Sequence, residues 1–299
     1  MSDEAPAADQ GDVAVFDRHR SLLFTLAYEL LGSVADAEDM VQEAYLRWSG
    51  RPPGPVENPR AYLAQVVTRL SLNRLRTLAR RREDYVGPWL PEPLLTTPDV
   101  ADDVVLAESV SLALLVVLES LGPKERAVFV LREVFGYSHD EIARAVGSTP
   151  GAVRQVAHRA RQHVEARRPR FATDPATAGR VRAEFERSVL TGDLQRLMDV
   201  LAPEVVLLTD GGGVVSAARR PIQGPDPVAR FLLGVVAKSP QSRLETAVVN
   251  GGPAWLARVS GRVIAAVQVV VGGGRIDQVL IVNNPEKLDA LDRRRPLTR

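Results

Sequence analysis

The sequence predicts a multidomain protein, two all-α helical domains followed by an α+β domain. Three observations carry this reading. Apolar residues recur at three- and four-residue intervals from Val13 to about Arg168, interrupted only by a proline-dense stretch. Beyond Thr173 the texture changes to short β-rich runs punctuated by glycine groups. With 299 residues, 45% of them hydrophobic and 25% charged, the chain can build two or three cores.

The elements follow in order. Phe16, Leu22, Leu23, Leu26 and Leu30 mark an amphipathic helix over Val13–Leu31, ended by Gly32. Ser33, with Asp36 three residues on, opens a second helix in a pattern close to a capping box. It runs through Ala37, Val41, Ala44, Tyr45 and Trp48 to the breaker GRPPGP. Asn58-Pro59 starts a third, which carries Tyr62, Leu63, Val66, Leu70 and Leu75 into the run Arg80–Arg82. Residues 1–85 are therefore expected to form one helical bundle. Pro88, Pro91, Pro93 and Pro98 then forbid a continuous helix and favour extended backbone. This linker, 86–103, holds Trp89, Leu90, Leu94 and Leu95, more apolar surface than a solvated spacer needs, so it is expected to dock. Helices resume at Val104 and, with a break at Gly122-Pro123, make up a second helical domain over 104–172. The last domain, 173–299, is expected to hold one helical region over Ala178–Leu201 and a helix over Pro225–Ala237. Its strands are Glu204–Thr209, Leu244–Asn250, Ala254–Val259, Val263–Val271 and Ile276–Val282, and strands grouped after helices suggest a curved antiparallel sheet.

The net charge of +1 conceals blocks. From Ser21 to Leu46 stand Glu29, Asp36, Glu38, Asp39 and Glu43 with no Lys or Arg. From Arg69 to Arg82 stand six arginines with no acid, and Arg154–Arg170 holds six more against Glu165 alone. Such segregation means that the average cancels real fields. Of 38 basic residues 35 are arginine, which genome composition explains as readily as phosphate recognition. There is no cysteine, which excludes disulfides, thiolate nucleophiles and Cys-ligated zinc or iron–sulfur sites. The start, MSDEAPAADQGD, is unlike a signal peptide, and no apolar run approaches the roughly 18 residues that span a bilayer. A cytoplasmic protein without a membrane partner is expected.

The most specific local signal is Tyr137–Arg161, YSHDEIARAVGSTPGAVRQVAHRAR. Ser138 and Glu141 form a Ser-x-x-Glu capping box, and Ile142, Ala143 and Val146 give a short helix its apolar face. Gly147 permits a sharp turn, Thr149 is a good N-cap, and Pro150 sits at the first helical position. The next helix buries Val153, Val156 and Ala157 or Ala160 and presents Thr149, Arg154, Gln155, His158, Arg159 and Arg161. This is the grammar of a helix-turn-helix whose second helix enters the major groove. There Arg suits guanine and Gln suits adenine, while Arg159 and Arg161, farther along, suit phosphates. The bland alternative is a helical hairpin with a solvated basic face.

Three runs, DAEDMVQEAYLRW (Asp36–Trp48), NPRAYLAQVVTRLSLNRLRTLARRRE (Asn58–Glu83) and LGPKERAVFVLREVFGYSHDEIARAVGSTPGAVRQVAHRAR (Leu121–Arg161), resemble the extracytoplasmic-function sigma factors. They match conserved regions two and four in order and at the right separation, over about 150 residues. The resemblance implies an alternative-type sigma factor that binds core RNA polymerase, at the largest-subunit clamp coiled coil and the flap, and directs it to promoter DNA. It implies that the acidic helix docks polymerase through Asp36, Asp39, Gln42 and Glu43. It implies that the basic helix recognises and melts the minus-10 element, Arg69 and Asn73 holding an unstacked base and Arg74, Arg76, Arg80 and Arg81 placed for phosphates. Capture of a single strand by stacking and charge suits such a helix, and Tyr62 offers either a stacking ring or a core residue. The helix-turn-helix would read the minus-35 element. No cofactor or metal is implied, and a separate anti-sigma factor is possible but not required.

The chain beyond Arg168 is similar to the SnoaL-like, cone-shaped domains of the nuclear-transport-factor-2 superfamily. WLPEPL (Trp89–Leu94), DGGG (Asp210–Gly213) and NPEKL (Asn284–Leu288) together resemble the sigma factors that carry a fused SnoaL-like regulator, the sigma J type. One departure is visible: Val214 and Val215 follow the glycines where that group usually has a lysine, so a role for that lysine does not transfer. The resemblance implies an interdomain regulatory set of Trp89, Leu90, Pro91, Leu94, Asp210, Gly211, Gly212, Asn284, Pro285 and Lys287. Asp210 itself reads as a pocket carboxylate, a turn former or a contact to another domain. All four histidines, His19, His139, His158 and His163, precede residue 173, which argues against acid–base catalysis in the tail. Two function classes stand, a sigma factor modulated in cis by its tail and a helix-turn-helix regulator with a ligand-sensing tail. The acidic helix discriminates them, since only the first needs polymerase. A third, weaker reading tethers a cyclase or isomerase to a DNA binder.

Overall fold

The computed structural model describes residues 7–52, 54–83, 85–97, 104–167, 173–292, 295 and 297–299. They gather into two compact units. One comprises Met1–Glu83, Thr96–Ala166 and Arg295–Arg299, the other Asp84–Leu95 and Arg167–Arg294.

The first unit is all helical. α1 (Ala7–Leu31) ends where Gly32 turns left-handed at φ 66°. α2 (Val34–Ser49) is capped by Ser33, whose hydroxyl accepts the Asp36 N–H at 3.2 Å. The Asp36 carboxylate does not return that bond, so the expected capping box is half formed. α3 (Pro59–Glu83) starts where Asn58 Oδ1 accepts the Ala61 N–H at 3.0 Å. Phe16, Leu23, Leu26, Leu30, Val41, Trp48 and Leu63 fill the space among these three helices, each worth about 1.5–3 kcal/mol of burial.

The later helices are α4 (Val104–Ser109), α5 (Leu112–Glu119), α6 (Pro123–Phe129), α7 (His139–Val146) and α8 (Pro150–Glu165), with a π-helical turn over Val130–Val134 following α6. They pack with α1–α3 in the same unit. α5, LALLVVLE, is apolar on all sides and must be covered on more than one face. Buried Arg126 of α6 donates to the Glu29 backbone carbonyl of α1 at 3.0 and 2.9 Å and pairs with Glu119. Ser109 donates to Glu29 Oε1 at 2.8 Å.

In the second unit the helical region expected over Ala178–Leu201 comprises two helices, α9 (Pro175–Thr191) and α10 (Leu194–Val200). Gly192, at φ 73°, breaks the run, and Asp193 caps α10 by accepting the Arg196 N–H. Six strands follow, β1 (Leu201–Asp210), β2 (Ile222–Gln223), β3 (Arg243–Val249), β4 (Gly252–Val259), β5 (Arg262–Gly272) and β6 (Arg275–Val282), with α11 (Pro225–Lys238) between β2 and β3. Their order is β2-β1-β6-β5-β4-β3. The sheet is mixed, not purely antiparallel, because β1 runs parallel to β6. Tight turns force β3 to β6 to alternate, whereas the α11 crossover frees the direction of β1 from that alternation. Register shifts in the β1–β6, β4–β5 and β5–β6 pairs bend the sheet. One core of this unit is built by Phe185, Val189, Leu197, Leu207, Val228, Trp255 and Val279, from its helices and its sheet.

Candidate functional site

The turn between α7 and α8 is closed by local chemistry. Ser138 Oγ accepts the Glu141 N–H at 3.2 Å while the Glu141 carboxylate accepts the Ser138 N–H at 2.8 Å. The Ser138 hydroxyl also donates to that carboxylate at 2.7 Å, and this bond together with the backbone one holds the Glu141 carboxyl below its ordinary range. Gly147 sits left-handed at φ 62°, and Thr149 Oγ1 accepts the Ala152 N–H at 3.3 Å. Val153, Ala157, Ala160 and Val164 face inward. The helical period then leaves Arg154, Gln155, His158, Arg159 and Arg161 exposed on the opposite side, with Thr149 at its head. Arg161 is tied back to Glu133 at 2.6 Å.

α3 departs from expectation at two arginines. Partly exposed Arg74 donates to buried Asp36 at 2.8 and 2.5 Å, tying α3 to α2. Asp36 is therefore no part of an outward docking face, and Arg74 is already committed to a carboxylate that needs a cation to stay buried. Arg69 donates to the carbonyls of Arg144 at 2.8 Å and Ala145 at 3.4 Å, and Gln65 to that of Arg144 at 3.1 Å. Both satisfy the carbonyl end of α7, where intrahelical partners run out and the helix dipole is negative. A cavity of about 180 Å³ opens at this seam, lined among others by Tyr62, Gln65, Thr68, Tyr137 and Ile142. Tyr62 leans on Trp48, ring centroids 5.9 Å apart. Asn73 and Arg76 are exposed and bonded to each other at 3.0 Å. Arg80 and Arg81 belong to α3, but their side chains lie outside the described residues.

On α2, Asp39 and Gln42 are exposed, Glu43 is half-exposed and paired with Arg47 at 3.0 Å, and Leu46 is 55% exposed. Steps of about 100° per residue put these four on one side. Leu46 was not singled out from the sequence. A leucine between Tyr45 and Arg47 reads as core until the neighbouring turns show that the core side is occupied by Val41, Ala44 and Trp48.

The second unit brings the three motifs to one point. Asp210, fully buried at the end of β1, accepts four bonds. Its Oδ1 takes the Tyr85 hydroxyl at 2.6 Å and the Gly212 N–H at 3.1 Å, and its Oδ2 takes the Leu90 N–H and Lys287 Nζ, each at 2.7 Å. Lys287, in α12 (Pro285–Leu288), also donates to the Leu90 carbonyl at 2.6 Å. Its ammonium lies 4.1 Å from the Trp89 ring centre and 5.1 Å from that of Tyr85. Burial and the bond to Asp210 push the Tyr85 hydroxyl pKa up.

The Asp210 carbonyl accepts the N–H groups of Asn283 and Asn284, and the Asn284 side chain donates to Tyr85 at 3.1 Å. Gly212 is required where it stands, since at φ 62° a Cβ would fall 2.4 Å from Asn284 Nδ2. A second grip lies at Asn250, whose side chain accepts the Leu94 N–H at 2.9 Å and whose N–H donates to the Leu94 carbonyl at 2.8 Å. Leu95 pairs with Val249 beside β3. Leu90, Pro91, Pro93 and Leu94 are buried. Tyr85 and Asn250 escaped the sequence reading. Asn250 precedes two glycines and looks like a turn residue, and its left-handed φ of 51° shows that it is one as well.

Comparison with known proteins gives the site its context. The model of sigma-70 region 2 matches residues 15–81, and that of sigma-70 region 4 matches residues 111–164. The ECF RNA polymerase sigma factor SigJ of Mycobacterium tuberculosis is 39% identical over 290 residues, covering 92% of this chain and 93% of SigJ. The chain belongs to the extracytoplasmic-function sigma factors.

A probable ECF sigma factor of the same organism, SigI, is 35% identical over 283 residues, covering 93% of this chain and 95% of its own. The crystal structure of SigJ superimposes with a TM-score of 0.75 at 36% identity, covering 93% of this chain and 99% of that one. The match thus extends through the C-terminal α+β domain. As a sigma factor the protein serves promoter-specific transcription initiation, binds core RNA polymerase and promoter DNA, and is not an enzyme. In this sigma factor Asp210 is wholly engaged by Tyr85, Leu90, Gly212 and Lys287 and is not a pocket acid. Among the described residues no helix is long and apolar enough to cross a membrane.

Proposed function

We propose that this sigma factor reads the minus-35 element with the outer side of α8 and the minus-10 element with α3. It docks the polymerase clamp coiled coil through Asp39, Gln42, Glu43 and Leu46, sets region 4 on the flap, and is modulated in cis by the C-terminal domain's hold on the linker. The observation that carries the cis role is the four-way engagement of Asp210, which spends a buried carboxylate and a buried lysine on holding Leu90. A free spacer needs neither.

The same reading requires movement. Elements at minus 10 and minus 35 are about 25 base pairs apart, roughly 85 Å of B-form duplex. Arg69 of α3 touches the carbonyl end of α7, and α7 packs against α8. Regions 2 and 4 packed in this way therefore cannot cover both elements, so promoter binding opens the α3–α7 seam and returns Arg69 to the DNA.

The experiment is in vitro transcription with purified core polymerase, comparing the full chain, a truncation after residue 167 and the full-length Lys287→Met variant. Promoter-dependent initiation that differs among the three supports the reading. Equal activity at every promoter sinks the cis role, and no initiation by any of them sinks the site assignments.

A further inference from the structure

Residues 295–299 belong to the helical unit rather than to the α+β unit that precedes them in sequence. Arg295 pairs with Glu38 of α2, its guanidinium 5.2 Å from the ring centre of Phe24 of α1. Arg20 of α1 reaches the same carboxylate at 3.5 Å. Leu297 is buried, 3% exposed, and the Thr298 N–H donates to Thr25 Oγ1 of α1 at 3.2 Å. Arg295 is bridged in parallel to Thr96. One ion pair, one cation–ring contact, one buried leucine and one bond from a backbone N–H to a hydroxyl seat Arg295 and Leu297–Arg299 on the α1–α2 groove. Scattered surface contacts would not bury the leucine.

The location gives the contact its meaning. Glu38 precedes Asp39 and lies one turn before Gln42, at the edge of the exposed side of α2. Of the acids Asp36, Glu38, Asp39 and Glu43, Asp36 is neutralised by Arg74, Glu43 by Arg47, and Glu38 by Arg295 and Arg20. Arg295 thus adds positive charge to the edge of a surface whose acidity is its recognition feature.

We propose that residues 295–299 are an intrachain docking peptide for the α1–α2 groove of region 2, and that its docking competes with polymerase binding by α2. The inference rests on the polymerase-docking reading of α2 given above. Its chemistry is that of an extended basic peptide with one aliphatic anchor, Arg-x-Leu, received by an acid beside an aromatic ring.

The test uses the full-length protein as wild type, Arg295→Glu, Arg295→Lys and Leu297→Asp. Affinity for core RNA polymerase is read by anisotropy of the labelled protein, and hydrogen exchange over residues 21–38 is read in the free protein. We expect Arg295→Glu and Leu297→Asp to bind at least threefold tighter than wild type and to exchange faster over that segment, while Arg295→Lys stays within twofold. Unchanged exchange in Leu297→Asp overturns the docking. Unchanged or weaker polymerase binding by both variants, with exchange faster, overturns the competition. If even the wild type fails to bind core polymerase, the reading of α2 fails and this inference with it.

Discussion

Glu29 offers the sharpest test of how the helical unit is held together. Its carboxyl is fully buried between α1 and the α4–α6 segment, Oε1 accepting from Ser109 and Oε2 without a partner. Arg126 lies beside it but spends its donors on the Glu29 backbone carbonyl and on Glu119. Burial outweighs both neighbours and pushes the Glu29 carboxyl up to about 8, from 4.5 when solvated. A carboxyl raised on folding favours the folded state fully only below its unfolded value, and that contribution is lost as pH rises through the folded value. The penalty is therefore about 1 kcal/mol at pH 5, about 3 at pH 7, and approaches about 5 above pH 8.

Glu29→Gln keeps the acceptor for Ser109 and the side-chain volume but cannot ionise. It should stabilise the unit by about 3 kcal/mol at pH 7, roughly 6–12 °C in Tm, and by about 1 kcal/mol at pH 5. Urea unfolding of both proteins from pH 5 to 8.5 measures this, provided m is unchanged. A Gln variant no more stable than wild type at pH 8 would refute the reasoning, because Glu29 would then be ionised without penalty. The substitution has a second consequence, since Glu29 sits where region 2 meets the helices of region 4. Promoter binding by wild type should strengthen from pH 6 to pH 8 relative to the Gln variant, as opening lets the carboxylate ionise.

Other outcomes follow from the same contacts. Lys287→Met leaves the buried Asp210 carboxylate without its cation and should cost about 3–5 kcal/mol, with faster proteolysis between Tyr85 and Leu95; adding Asp210→Asn should recover part of the loss. Gly212→Ala places a methyl against Asn284 at a left-handed φ and should destabilise the second unit by about 2 kcal/mol or more, seen as faster exchange of the Leu90 amide. Arg159→Ala should weaken promoter binding to all sequences and lower the salt slope by about one, whereas Arg154→Ala should relax base preference by about 1–3 kcal/mol at one position. Asp39→Lys should abolish core-polymerase binding in a fully folded protein, while Asp36→Ala should lower the urea midpoint and leave the affinity of the folded fraction nearly intact.

The helix termini were legible because caps are local. Ser138 with Glu141, Gly147, Thr149 and Pro150 each act within four residues, so sequence spacing and geometry coincide. Five of the six described strands of the second unit were legible because alternation and glycine turns are local too, and their observed bounds differ from the expected ones by three residues or fewer; the two-residue β2 was not, being too short to show alternation. The direction of β1 was not, because it depends on how α11 crosses between two parts of one sheet. Nor was the break at Gly192, since the apolar spacing on either side of it continues the same helical period.

The side chains of α2 show where such reading stops. Asp36, Glu38 and Asp39 are acids within four residues on one helix, and nothing local distinguishes them. Asp36 is buried because Arg74 waits 38 positions away, and Glu38 is covered because Arg295 returns from 257 positions away. Asp39 stays outward. A carboxylate goes where its partner lets it, since an unpaired charge is expelled to water and a paired one can stay inside. Sequence therefore identifies the acidic block, and the positions of two distant arginines decide which of its acids can face a partner. The variants at Asp36, Asp39 and Arg295 separate these three roles, because only the first should move stability, only the second should remove polymerase, and only the third should tighten it.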